Sequence, residues 1–118
     1  MHPKSPMWLD NIADACAFIL EATAGRSRTD YEEDRTLRQA TERSVGNIGR
    51  ALSRIEQVDP ATIGQITDYR TIMDIGVRLI PEYDTVNNDQ VWALTQRNVP
   101  VLPTEAETLL READAKSP

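Results

Sequence analysis

The sequence predicts an all-α fold, an antiparallel bundle of four to five helices. The composition is the first observation: the 118 residues include only five glycines and are rich in Ala, Leu, Ile, Arg, Glu and Asp, which favours helices. The second is periodicity, because apolar residues recur at spacings of three and four along most of the chain. The third is length, which allows one core but not two. We therefore expect a single helical domain over residues 8–115, preceded by a flexible tail over residues 1–7.

The first predicted helix runs from Trp8 to about Thr23, and Gly25 is suited to the left-handed backbone that often follows a last turn. Cys16 lies on its apolar side and is the only cysteine, so it cannot form an internal disulfide and is interpreted as a buried structural thiol. The apolar stripe consists of Trp8, Ile12, Ala15, Cys16, Ile19 and Ala22.

A second and longer helix is predicted from Asp34 to about Ile55. On this helix Arg43, Arg50 and Arg54 stand at i, i+7 and i+11, so at about 100° per residue they share one side, away from the apolar stripe. The simplest interpretation is a solvated face, and the alternative is a face that binds phosphates. The apolar positions are Leu37, Ala40, Ser44, Val45, Ile48, Ala51, Leu52 and Ile55.

Two glycines, Gly46 and Gly49, interrupt this long helix. Each costs about 1 kcal/mol relative to alanine in a helix. They either allow another backbone to pack closely or merely weaken the helix locally.

Further helices are predicted downstream. Asp59-Pro60 marks a turn into a third helix that continues to Ile80 and ends at Pro81, because proline is incompatible with a helix interior. An asparagine cap at Asn87-Asn88 begins a fourth helix. Thr104-Glu105-Ala106-Glu107 is a capping box that predicts a short terminal helix.

Charge and residue types exclude several classes of function. The formal net charge of -6 argues against a surface that is basic all over, so any RNA contact needs a local patch. The only histidine is His2, in the predicted tail, which leaves the domain without a general base of near-neutral pKa and makes zinc sites improbable. Asp10 and Asp14 are interpreted as a solvated helix face and not as a magnesium site.

The sequence lacks a glycine-rich phosphate loop, a secretory signal and any apolar run of the roughly 18 residues needed to cross a bilayer. We therefore expect a cytoplasmic protein with no cofactor, no metal and no membrane association. The aromatic residues are spread one or two per helix, which is typical of core packing and not of a base-stacking platform.

Several segments together carry a family resemblance. They are Trp8-Leu9-Asp10-Asn11-Ile12, Phe18-Ile19, Thr23-Ala24-Gly25-Arg26, Asp30-Tyr31, Asp34-Arg35, Leu37-Arg38-Gln39-Ala40-Thr41-Glu42-Arg43, Ile48-Gly49-Arg50-Ala51-Leu52, Tyr69-Arg70-Thr71-Ile72, Leu79-Ile80-Pro81-Glu82-Tyr83 and Val91-Trp92. In this order and spacing the chain resembles the HepT-like proteins of the HEPN family over nearly its whole length.

The resemblance implies a helical bundle that forms a homodimer and acts as the toxin of a toxin–antitoxin pair, with a minimal nucleotidyltransferase as antitoxin. It also implies a metal-independent ribonuclease whose motif is an arginine, four residues, a histidine, one residue and a tyrosine. Histidine handles the proton of the ribose 2′-hydroxyl, and arginine stabilises the charge on the phosphate. The tyrosine is where the partner attaches AMP.

The chain departs from this motif at two of its three positions. In an ungapped register the motif tyrosine is Tyr83, the histidine position holds Pro81 and the arginine position holds Gly76. Arg78 cannot simply replace the arginine, because two residues along a helix turn a side chain by about 200°. Departures from other usual family residues are Val77 for an asparagine, and Gly46 and Arg50 for glutamates.

Three functions remain open from sequence. The leading one is a HepT-like protein that keeps the fold, the dimer and the transferase partner, with Tyr83 as a possible AMP acceptor, but is impaired as a ribonuclease. The second is an active ribonuclease with a rearranged site, in which Arg70, Arg78 and Tyr83 act with the stripe of Arg43, Arg50 and Arg54 on RNA phosphates. The third is an interaction module with no role on nucleic acid, which the acidic pI favours.

Overall fold

The computed structural model describes residues 1–79 and 87–116, apart from the Arg78 side chain, and in these residues it contains seven helices and no strand. The all-α prediction is confirmed. Five helices are long, and α2 and α4 are short connecting pieces of six and four residues. The helices are α1 (Ser5–Thr23), α2 (Arg28–Glu33), α3 (Arg35–Val58), α4 (Pro60–Ile63), α5 (Tyr69–Arg78), α6 (Asn88–Arg97) and α7 (Leu102–Lys116).

Helix α3 is the centre of the bundle, and it packs against α1 on one side and α5 on the other. The side chains of Ile48, Leu52 and Ile55 on α3 are fully buried. Each such buried side chain contributes roughly 1.5–3 kcal/mol to the stability of the fold. The apolar stripe predicted from the sequence therefore forms the core. Helix α7 packs against α1. Within the described ranges, no helix has both the length and the apolarity that a bilayer span requires.

Helix α1 begins at Ser5, three residues before the predicted start at Trp8. Pro6 fits the first turn, where no backbone N–H is needed. The Ser5 hydroxyl donates a hydrogen bond of 2.8 Å to the Asp59 carboxylate, which also accepts the main-chain N–H of His2 at 2.8 Å. Residues 5–7, which were expected in the tail, therefore belong to α1, and the segment before them is attached to the junction of α3 and α4.

The predicted third helix is broken into α4 and α5. Asp68 has a left-handed backbone with φ 57° and ψ 27°, a conformation that aspartate tolerates better than most residues and that no helix can pass through. The apolar periodicity continued across this break because Ile63 and Ile66 still point into the core. The prediction of one continuous helix was therefore wrong, although its buried positions were right.

Of the other predicted helix ends, two are confirmed and one is wrong. Gly25 follows α1 with φ 70°, and the Asn87 side chain caps α6 by accepting from the N–H of Gln90. The predicted capping box at Thr104 is wrong, because α7 already begins at Leu102. Pro103 is tolerated in a first turn, and the Glu105 carboxylate accepts instead from the N–H and hydroxyl of Thr67.

Candidate functional site

The two glycine-containing helices α3 and α5 meet backbone to backbone. A methyl group added at Gly76 would lie 2.8 Å from the Cα of Gly49 and 2.9 Å from the carbonyl oxygen of Val45. One added at Gly49 would lie 2.9 Å from the Cα of Gly76 and 3.3 Å from the carbonyl oxygen of Met73. Because Met73 faces Gly49 while Gly76 also reaches Val45, the two helices run antiparallel. Of the two interpretations of Gly49, close backbone packing is the correct one.

This contact lies at position 76, which the ungapped register of the resemblance assigns to the motif arginine. Gly76 is buried against α3, so the packing leaves no room for a Cβ there and still less for a guanidinium. Val77, at the usual asparagine position, has 42% of its surface exposed. Pro81 and Tyr83, at the histidine and tyrosine positions, lie outside the described residues.

Gly46 differs from its neighbour Gly49. A methyl group added at Gly46 would meet the Arg50 guanidinium at 3.6 Å and the Gly76 carbonyl oxygen at 3.9 Å, which are ordinary contacts. Arg50 also donates a hydrogen bond to the Asn47 side chain, one turn before it on α3. The two positions at which the resemblance leads us to expect glutamates therefore hold a buried glycine with room for a methyl group and an exposed arginine.

The predicted arginine stripe is exposed, but only part of it faces a concave surface. Arg43, Arg50 and Arg54 are all exposed on α3. Arg50 and Arg54 line a groove between α1 and α3, and Arg43 does not. Arg70 is exposed at the start of α5, where its guanidinium lies 5.6 Å from the centre of the Tyr69 ring. Arg70 is likewise absent from the lining of this groove.

The groove between α1 and α3 has a volume of about 410 Å³. It exists because small side chains face each other where the helices cross, namely Ala15 on α1 and Ser44 and Ala51 on α3. The longer polar side chains flank these small residues. The complete lining is Trp8, Asn11, Asp14, Ala15, Ser44, Asn47, Arg50, Ala51 and Arg54.

The charges of the groove are not neutralised within the described parts of the chain. In the described residues, the ion pairs with an N···O distance of 4.0 Å or less all lie outside the groove. They join Arg26 or Arg28 to carboxylates near α2 and α6. Arg50, Arg54 and Asp14 take part in none of them. An acidic chain thus carries a local cationic patch, in a groove that also holds a separate carboxylate.

The groove as a unit is not predicted by the sequence. Asp14 was interpreted as a solvated face, and Asn11 and Asn47 were not singled out. A signal was present, because Asn11 and Asp14 stand at i and i+3, while Asn47, Arg50 and Arg54 stand at i, i+3 and i+7. What the sequence could not provide was the pairing of α1 with α3 in this register.

The single histidine lies at the C-terminal end of α3, whereas Gly76 packs against the middle of that helix. The His2 ring stacks on Trp8 with centroids 6.3 Å apart, and its Nδ1 accepts the main-chain N–H of Lys4. The main-chain N–H of His2 donates to the Asp59 carboxylate. Gly49 precedes Asp59 by ten residues, which is about 15 Å along a helix at about 1.5 Å per residue. His2 therefore does not stand beside Gly76.

The remaining candidates are structural. Cys16 is fully buried, and burial raises the pKa of its thiol to about 12, so the structural interpretation is confirmed. Tyr31 is fully buried with its ring centre 5.4 Å from that of Trp92, and burial together with the nearby Glu42 carboxylate raises the pKa of its phenol. In the described ranges no three His, Cys, Asp or Glu side chains converge as metal ligands.

Comparison with known proteins gives a family. The chain is 26% identical over 110 residues to a protein named "Putative RNase TTE0752" from Caldanaerobacter subterraneus subsp. tengcongensis, and the match covers 92% of this chain and 97% of that protein. No solved structure matches the chain significantly. The model of the family described as "Ribonuclease HepT-like" matches residues 12–109, which include α2 to α6 and most of α1 and α7. The chain therefore belongs to the HepT-like ribonuclease family.

Proposed function

We propose that this protein is the toxin-side member of a toxin–antitoxin pair whose partner is a nucleotidyltransferase, and that it is impaired as a ribonuclease. Family membership supports the toxin–antitoxin partnership. Similarity to a protein named as an RNase supports descent from a protein that acts on RNA. The observation that carries the second part is the contact between Gly76 and Gly49, which fills the space of the motif arginine.

The impairment follows from the chemistry that RNA cleavage requires. A base must remove the proton of the 2′-hydroxyl as it attacks phosphorus, and a cation must stabilise the charge that develops on the phosphate. Position 81 is proline, which carries no base, and position 76 has no side chain. His2 is held near Asp59, just after the C-terminal end of α3, and supplies no replacement.

Tyr83 remains as the acceptor for regulation by the partner. Its phenolic oxygen would form a bond to the α-phosphorus of ATP, with pyrophosphate as the leaving group and the phenol proton passing to the transferase. Such a reaction uses only the nucleophile on this chain and needs neither the motif arginine nor the histidine. We expect it to take place in the cytoplasm, on a homodimer.

The partnership is tested by co-expression with a nucleotidyltransferase encoded beside this gene. The two proteins are expected to co-purify, and mass spectrometry is expected to find the mass of one AMP group on the peptide that contains Tyr83. Tyr83→Phe should abolish the adduct, and Tyr69→Phe should leave it. An unmodified chain that does not bind the transferase would contradict the partnership.

The homodimer is tested by sedimentation at several protein concentrations. The family resemblance implies a cleft to which both subunits contribute, so the expected species has twice the chain mass of 13.3 kDa. Sedimentation as a single chain at micromolar concentration would contradict this part of the proposal.

RNA binding without cleavage is a second function that a specific observation favours. Arg50 and Arg54 line one groove and form no ion pair with a carboxylate in the described residues. Two guanidinium groups one helical turn apart, neither paired with a carboxylate, can bind the phosphates of a single strand. The rearranged ribonuclease is less well supported, because Arg43 and Arg70 do not line this groove.

A further inference from the structure

The groove between α1 and α3 keeps opposite charges apart. Asp14 comes from α1, and Arg50 and Arg54 come from α3, yet no carboxylate oxygen of Asp14 lies within 4.0 Å of either guanidinium. Opposite charges that share a groove without touching leave room for a ligand that satisfies both. Such a ligand carries an anionic group at one end and hydrogen-bond donors or a positive charge at the other.

We propose that this groove binds a guanine nucleotide unit, with its phosphate on Arg50 and Arg54 and the N–H edge of its base on Asp14. Guanine presents two N–H donors side by side, at N1 and N2, and a carboxylate can accept both at once. Uracil presents one N–H donor, so it makes fewer of these bonds. The assignment rests on the proposed RNA-binding role of the same arginines.

The carboxamides of the groove fit the same ligand. Asn11 lies one turn from Asp14 on α1, and Asn47 lies one turn from Arg50 on α3 and accepts a hydrogen bond from it. Each carboxamide offers both a donor and an acceptor, which suits the O6 and N7 acceptors of guanine or a ribose hydroxyl.

The size of the groove also fits. Its volume of about 410 Å³ is at the lower end of the range of roughly 300–1,000 Å³ that small-molecule sites occupy. Trp8 adds an aromatic surface and is held in place by the stacked ring of His2. This volume can accommodate one nucleotide unit.

The test is isothermal titration calorimetry of the full chain with GMP and UMP. We expect GMP to bind about tenfold more tightly or better, because one bidentate contact discriminates by about that factor. Asp14→Asn should bring the ratio of the two affinities close to one. Asp10→Asn is the matched control, since Asp10 is exposed on the same helix outside the groove and the charge change is the same.

Oligoribonucleotides distinguish a free nucleotide from an unpaired guanosine in RNA. An oligouridylate with one central guanosine is compared with the same strand made only of uridine. A preference for the guanosine strand that Asp14→Asn removes supports a site for RNA, and a preference confined to GMP supports a site for the free nucleotide.

Failure of this inference can be told apart from failure of the RNA-binding role. Equal affinity for GMP and UMP, with equal affinity for both strands, overturns the guanine assignment while leaving RNA binding intact. If Asp10→Asn and Asp14→Asn reduce the preference for GMP over UMP equally, the guanine assignment is also overturned. GMP preference without any binding of either strand contradicts the RNA-binding role and supports the guanine site.

Discussion

Gly76 and Gly49 touch through their backbones where α5 crosses α3, and each would place a Cβ within 2.9 Å of the other's Cα. Real Cβ atoms do not approach other atoms this closely, so neither position accepts a side chain unless the helices separate. The same contact holds α5 against the centre of the bundle and leaves no space for a side chain at position 76.

Gly76→Ala is expected to destabilise the fold by about 1–3 kcal/mol, the usual cost of overpacking. The loss outweighs the gain of up to about 1 kcal/mol that alanine brings to a helix. Gly49→Ala should destabilise the fold by a similar amount, because its Cβ would clash with Gly76. Gly46→Ala is the matched control on the same helix, and since its new methyl group meets only ordinary contacts it should stabilise the protein or leave it unchanged. Urea unfolding measures all three, and a neutral or stabilising Gly76→Ala would contradict the close packing.

Asp59→Ala is expected to cost about 1–3 kcal/mol, because the carboxylate accepts from the N–H of His2 and the hydroxyl of Ser5 and also caps α4. Burial by itself would raise the pKa of Asp59, but hydrogen bonds from His2, Thr62 and Ser5 hold it below its ordinary value. A carboxyl whose folded pKa is depressed stabilises the fold above its unfolded pKa of about 3.9. This stabilisation disappears as the pH falls through the lower folded value.

The measurement is therefore urea unfolding of the wild type and Asp59→Ala at neutral pH and at several values below about pH 4. The difference between the two proteins should be constant near neutrality and should shrink in acid. A difference that grows as the pH falls would contradict the hydrogen bonding assigned to Asp59.

Cys16 is expected to be inert to thiol reagents in the folded protein. The reactive species is the thiolate, and burial raises the pKa of this thiol to about 12, so almost none forms near pH 8. Ellman's reagent should react slowly with the native chain and rapidly in denaturing urea. Rapid native labelling of Cys16 would contradict its placement in the core.

The arginine pair of the groove is expected to set the salt dependence of RNA binding. For a single strand, each phosphate contact adds about 0.7 to the slope of log affinity against log salt. The double variant Arg50→Ala with Arg54→Ala should therefore lower the slope by about 1.4. Arg111→Ala, a change at an exposed arginine on α7 outside the groove, should leave it unchanged. An equal effect of both changes would contradict a localised site.

The sequence was sufficient to predict the fold class and most of the core. Spacings of three and four identify Ile12, Ile19, Ile48 and Leu52 as buried because that periodicity depends only on helix geometry. The break at Asp68 was not predictable from this pattern, since Ile63 and Ile66 remain buried although the backbone between them and α5 is not helical.

The candidate site could be predicted only in part. The ungapped motif register predicts that Gly76 replaces an arginine, but the reason that nothing larger fits at position 76 is its partner Gly49, which is distant in sequence. The shared face of Arg43, Arg50 and Arg54 is predicted from the periodicity of one helix. The groove depends also on which residues of α1 lie beside that face. Contacts between helices are set by packing of the whole bundle, which no local spacing encodes.

The measurement that tests the account most directly is an RNA cleavage assay with the purified protein in the presence of EDTA. The account predicts binding of single-stranded RNA without cleavage above a buffer control, because position 76 holds no cation and the only histidine is held beside Asp59. Robust cleavage that disappears in Tyr83→Phe or Arg70→Ala would contradict it and would establish a rearranged active site.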